Sequence, residues 1–355
     1  MRDRFSILAA WKNRLAAVLT ACLCIMAFDG LPAAGEAKAG ADKRENAAAS
    51  PARYTRFVDI GGGKYAMQLA VRAFAPARGN GPRVLLVSAI HIGSESYYRR
   101  LQQILDNSKL VLFEGVGDVP RTSRDRPGAQ KAADGDAPGE AGTDDTLYDH
   151  LAAAAGLISQ TKGIQYDRPH FHNCDLSMRE MRERLEAESR QGGKTAREAR
   201  EALQLMREVE SALRGAGGFP LLVAQGMGRL MAGNPGLRTL FLCKIATVED
   251  AQEPFSGPWA PPGLRRLGRM ILHERNDAVL DSLSKRLKHR RRPANIAIFY
   301  GAAHMRGLEE GLVKRHGYRL RETEWVTAFT LDPAAAGLPP AITAAIARMA
   351  QATPK

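Results

Sequence analysis

The stretch Asn295–Leu308, NIAIFYGAAHMRGL, decides how the chain is read. Asn295 to Tyr300 is short, apolar, β-branched and aromatic, the pattern of a buried strand. The chain then turns at Gly301, passes two alanines and presents His304, and a helix is expected over Leu308 to Lys314. A histidine just past the carboxyl end of a buried strand lies where open α/β sheets keep their ligands. The small residues around it let a substrate or a metal approach the backbone closely.

The pattern recurs upstream. Arg83 to Val87, RVLLV, is a second apolar run, followed by Ser88, Ala89, Ile90 and His91, then Gly93. A third run, Leu110 to Phe113, LVLF, delivers Glu114 and Gly115. A single histidine after a strand is more often a hydrogen-bonded structural residue than a ligand. It is the repeated unit, joined by a carboxylate in the same topological place, that points to a site. Two imidazoles and one carboxylate, with positions left open to water, suit a catalytic divalent metal.

Composition narrows the classes. The chain has 355 residues, enough for one large α/β domain or a domain with a helical insertion. The net charge of +13 is spread along the sequence, with one dense cluster at Lys285 to Arg292, KRLKHRRR. No aromatic residues interleave with that cluster, so it reads as a solvated helix end in reach of anionic lipid, not as a nucleic-acid site. Of four cysteines, Cys22 and Cys24 sit in an N-terminal apolar run, and nothing requires Cys174 and Cys243 to pair. There is no HExxH, GxSxG or phosphate loop, which removes the usual support for zincin, serine-hydrolase and nucleotide-binding readings.

Residues 1–39 carry early basic residues, the apolar run Leu15 to Phe28 and then small residues, a signal peptide or signal anchor. Leu19 to Cys22 also resembles a lipobox. Either way the body is expected outside the cytoplasm, periplasmic or attached to the cell envelope. A linker, 40–53, leads into an α/β domain over 54–331, which opens with a hairpin around Gly61-Gly62-Gly63. Ser94 to Asn107 reads as a helix capped by Ser94. It carries Arg99 and Arg100; each alone is expected to face solvent, but Arg100 is a candidate to hold an anion at the site. The segment 120–145 has almost nothing apolar and is expected to be a disordered insert. His170 and His172 read as structural, and Asp175 as the cap of a following helix. A helical insertion, 178–262, separates the two histidine-bearing halves. Leu264 to Leu287 is a helix containing Glu274-Arg275-Asn276-Asp277. A last strand lies around Trp325 to Leu331, and a helix and tail occupy 332–355.

These residues resemble the TraB/PrgY/GumN family, which includes the Tiki metalloproteases. The likeness rests on an intact GxxH at Gly301 to His304, on Glu114 in LFEG, and on Arg275-Asn276. Tyr166-Asp167-Arg168-Pro169 and Asp175-Leu176-Ser177 also look like bacterial members. The first GxxH has Ser88 where the family has glycine. The resemblance implies a mixed central sheet flanked by helices, with the insertion between the two GxxH-bearing halves, and distant kinship to the erythromycin-esterase fold. It further implies an exported hydrolase acting on a peptide or protein. His91, Glu114 and His304 would hold Mn, Co or Zn, which would lower the pKa of a bound water to about 7. Arg275 or Arg100 would steady the developing oxyanion, with Ser88, Gly301 and Asp175 in support. Two alternatives stand beside it. One is a metal-independent hydrolase in which His91 or His304 is the base and Glu114 orients it. The other is a non-catalytic cell-surface protein that captures a peptide signal or small ligand. No nucleic-acid partner is expected, and membrane association would run through the N-terminal segment.

Overall fold

The computed structural model describes residues 53–115, 143–215, 219–247 and 260–352. The signal segment, most of the linker, nearly all of the 120–145 insert, Cys22 and Cys24 lie outside the described residues. None of the described helices is long and apolar enough to cross a membrane.

Strand β1 (Thr55–Gly61) turns into β2 (Lys64–Pro76), and β3 (Arg83–Ala89) follows. The three glycines at the hairpin all take positive φ, which explains why this turn is built of glycine. A two-residue strand β4 (Ile92–Gly93) precedes α1 (Glu95–Asp106), whose N-cap is Ser94, as the sequence suggests. Then come β5 (Leu110–Phe113), α2 (Thr143–Ala155), β6 (Ile158–Ser159), the single turn α3 (Gln160–Gly163) and β7 (Phe171–Asn173). Helix α2 begins inside the segment expected to be disordered.

The insertion consists of α4 (Met178–Ser189), α5 (Gly193–Gly215), α6 (Phe219–Ala232) and α7 (Pro235–Thr247). Next, α8 (Pro262–Gly268) runs into a π-helical segment (Arg269–Glu274) and on into α9 (Arg275–Lys288). Strand β8 (Asn295–Gly301), α10 (Ala302–His316), β9 (Tyr318–Leu331) and α11 (Pro340–Ala352) complete the order. The last strand is twice the length read from the sequence.

The sheet is mixed. β2 pairs antiparallel with β9 along one edge and with β1 and then β3 along the other. From β3 onward the pairing is parallel, through β8 and β5 to β7. The two histidine-bearing halves are therefore hydrogen-bonded neighbours: β3 pairs with β8 from Arg83↔Asn295 to Ala89↔Gly301. The helical insertion interrupts the sequence between them without separating them in the sheet.

Side-chain alternation divides the core between the two faces. Val87, Val111, Phe113, Ala297 and Phe299 join Tyr97, Leu101 and Leu105 of α1. Val84, Leu86, Leu112, Ile296 and Ile298 meet Val279, Leu280 and Leu283 of α9 and Leu308 and Leu312 of α10. The α9–α10 contact is close because Gly311 leaves room: a Cβ there would stand 2.2 Å from Leu280 Cδ1. A third cluster, Leu176, Met181, Leu185, Leu203, Met206 and Met270, holds the insertion to the π-helical segment.

Candidate functional site

The parallel register delivers four side chains to one edge of the sheet. His91 lies two residues beyond β3, Glu114 follows β5, Asp175 lies two residues beyond β7, and His304 is in the first turn of α10 after β8. His304 thus belongs to the helix itself, which starts six residues earlier than the sequence suggests. Glu114, Asp175 and His304, together with Asn276 from α9, are only 9%, 3%, 3% and 4% exposed.

Glu114 is held from three sides. Its Oε2 accepts the Gly301 backbone N–H at 2.7 Å. Its Oε1 accepts Arg275 Nη2 at 2.8 Å and lies 3.5 Å from His304 Nε2. Gly301 is needed here for close approach, since a Cβ would sit 3.3 Å from Oε2. Burial alone would raise the Glu114 pKa. The neighbouring His304 and Arg275, together with the hydrogen bonds, win and hold it well below the usual carboxylate range.

Arg275 also grips Asp175, through Nε to Oδ1 at 2.8 Å and through Nη2 to Oδ2. Asp175 accepts two backbone N–H groups besides, from Leu176 at 2.8 Å and Gly115 at 3.1 Å. It is not the helix cap expected from the sequence. Ser177 caps α4 in a capping box with Glu180, which frees Asp175 to face Arg275. Burial works to lower the Arg275 pKa, but the two carboxylates raise it above its ordinary value, so its charge is permanent.

Asn276 fixes His304. Its Nδ2 donates to the His304 carbonyl at 3.2 Å, which leaves Oδ1 to accept from His304 Nδ1 at 2.8 Å. That assignment places a ring proton on Nδ1 and turns Nε2 toward Glu114. Adjacent helical residues diverge by about 100°, so Arg275 reaches β5 and β7 while Asn276 reaches α10. Tyr300 packs edge-on against the His304 ring at 5.5 Å, and its hydroxyl lies 3.9 Å from Cys174 Sγ. Cys174 and Cys243 are both free thiols.

The remaining candidates make other contacts. Arg100 makes a two-armed ion pair with Glu324 of β9, at 2.8 and 3.0 Å, on the exposed surface, and Arg99 pairs with Glu95 within α1. Arg100 therefore has a carboxylate partner of its own and joins none of the Glu114 contacts. The His91 ring stacks on Tyr148 of α2, with centroids 4.6 Å apart. His170 points its Nε2 at the Leu105 carbonyl, a structural contact as expected. Among the described residues, no group of three or more His, Cys, Asp and Glu is arranged to hold a metal ion. The donor pair that does form, His304 with Glu114, shares its carboxylate oxygen with a guanidinium. The described residues therefore do not fit the divalent ion expected from two histidines and a glutamate.

Sequence reasoning did not assign Asn276 its role, although it stands beside Arg275. Tyr148 and Tyr300 carried no signal beyond their apolar surroundings. Ser88 lies fully buried, and its hydroxyl has no hydrogen-bond partner among the described residues. An unpaired buried hydroxyl costs more than the methyl that would replace it. Ser88→Ala is therefore expected to raise stability by about 1 kcal/mol, read from the midpoint of urea unfolding; a lowered midpoint would refute this.

Compared with protein-family models, with curated proteins and with solved structures, the chain matches none. What fold and site define together is a class: an α/β chain with a mixed sheet, carrying a buried Glu–His–Arg–Asp cluster at the carboxyl ends of its parallel strands.

Proposed function

We propose that the chain is a hydrolase of TraB/GumN-like or erythromycin-esterase-like architecture, acting on a peptide or ester carbonyl by general-base catalysis at His304. The observation that carries this is the single ring orientation of His304, with Nδ1–H donated to Asn276 and Nε2 facing Glu114 Oε1 at 3.5 Å. A neutral imidazole so held takes a proton from water on Nε2, and the imidazolium formed rests against a carboxylate that burial and Arg275 keep ionised. Arg275, anchored by Asp175, fixes the position of Glu114. The basic and apolar N-terminal segment supports a working place outside the cytoplasm.

The test uses the purified chain against panels of fluorogenic peptides and aryl esters, before and after exhaustive chelation. Hydrolysis that survives chelation and falls about 10²- to 10⁴-fold in His304→Ala is expected. Stoichiometric bound metal that disappears in His304→Ala would replace this reading with the metal-dependent one. Ligand capture without turnover in the wild-type chain would replace it with a binding protein.

A further inference from the structure

At the opposite edge of the sheet, three segments meet. Arg83 N–H donates to the Ala294 carbonyl at 3.2 Å, Arg292 Nη1 to the Asn80 carbonyl at 3.3 Å, and Ala77 N–H to the Gly317 carbonyl at 2.9 Å. Ser284 Oγ and His316 Nε2, 3.2 Å apart, tie the end of α9 to the end of α10. This edge carries the basic cluster. Lys285 and Lys288 are exposed in the last turn of α9, and Arg290 and Arg291 are exposed beyond it. Arg319 and Arg321 at the start of β9 are exposed as well. Among the described residues, none of these six has a carboxylate in salt-bridge reach, whereas Lys314 and Arg315 nearby are paired with Glu310, Asp277 and Asp281.

A helix C-terminus favours cations in its last turn. That accounts for Lys285 and Lys288 but not for Arg290 and Arg291, which lie past the cap at His289. Two large apolar side chains, Val313 in α10 and Leu320 in β9, are each 43% exposed and belong to the same segments. No aromatic residue lies in the cluster 285–292 to stack a base. Trp325, further along β9, is covered by Arg56 at 4.2 Å. Unpaired cations on segments that also expose aliphatic side chains match the headgroup and acyl boundary of an anionic bilayer better than a nucleic acid, which favours aromatic platforms.

We infer that the face formed by the end of α9, the end of α10 and the start of β9 docks on an anionic lipid surface. Strand β8 starts at this face and ends at Gly301, which donates its N–H to Glu114 and precedes His304, so its seven residues, about 20 Å of rise, separate the lipid from the site. The site would then face away from the bilayer. This inference does not depend on the hydrolase reading.

The test is co-sedimentation of the full chain with vesicles of phosphatidylcholine alone or mixed equally with phosphatidylglycerol. The triple variant Lys288→Ser, Arg290→Ser, Arg291→Ser is compared with the wild type, so that the N-terminal segment is common to both. The variant is expected to lose about 10- to 100-fold in affinity for the anionic vesicles and to keep its affinity for the neutral ones. Val313→Ser with Leu320→Ser is expected to weaken anionic binding by a smaller factor. Equal affinity of wild type and triple variant for anionic vesicles would overturn the inference. So would a wild type that ignores those vesicles but binds short duplex DNA through the same arginines.

Discussion

Arg275→Met should be among the most destabilising single substitutions in the chain, costing about 3–5 kcal/mol at neutral pH. Arg275 lies between two carboxylates, Glu114 and Asp175, and all three side chains are at most 12% exposed. Removing the cation leaves two buried anions without the guanidinium that lies between them. Methionine fills most of the volume, so the loss is electrostatic and not a cavity effect. Urea unfolding of wild type and variant gives the difference directly. A variant within about 1 kcal/mol of wild type would mean the cluster is solvated and the buried description is wrong.

The pH dependence supplies an independent check. The folded-state pKa of Glu114 lies below its unfolded value, so its ionisation contributes stability that is fully present above about pH 4.3. That contribution is lost as pH falls from there toward the folded pKa. In Arg275→Met, burial acts on Glu114 without the guanidinium to oppose it, so protonation costs the variant less. The stability gap between the two proteins should therefore narrow below about pH 4. Combining Arg275→Met with Glu114→Gln should cost less than the sum of the separate changes, because the residues share one interaction.

The sheet was legible in the sequence because its strands are continuous apolar runs that admit few other structures. Leu110–Phe113 and Asn295–Gly301 fall where LVLF and NIAIFYG place them. The convergence of Glu114 and His304 was expected from their positions after strands, whereas Arg275 was singled out only through the resemblance of Arg275-Asn276 to a family motif. What the sequence did not carry was direction. His91 and His304 occupy equivalent places after paired strands, yet one ring stacks on Tyr148 from a helix 52 residues further on. The other is turned by Asn276 toward Glu114. Arg100 is close to His91 along the chain but finds Glu324 on a strand that passes beside α1. Such choices depend on which long-range neighbour arrives first at a side chain, and periodicity holds no record of that. The π-helical segment before Arg275 is similar, since no residue in Arg269–Glu274 announces a wider turn.

Asn276 makes that choice for His304, and its replacement by alanine should separate structure from chemistry. The substitution removes both the acceptor for Nδ1–H and the donor to the His304 carbonyl, each in a buried setting. A stability loss of about 1–3 kcal/mol follows from the unpaired groups. The larger effect falls on the ring. Without Oδ1, the proton is free to move to Nε2, where it donates to Glu114 and leaves no base on the catalytic side. Loss of a group that holds a catalytic imidazole in one tautomer costs up to about 10⁴-fold in rate. Imidazole ¹⁵N shifts report the tautomer whether or not a substrate has been found. In the wild type they should show a protonated Nδ1 and a bare Nε2, and in Asn276→Ala a mixture. Gly307→Ala reaches the same bond from the other side, because a Cβ there would stand 2.5 Å from Asn276 Nδ2 and press the amide off His304. It should shift the tautomer in the same direction without substituting either partner. Wild-type ring shifts unchanged by both substitutions would mean that Asn276 does not orient His304.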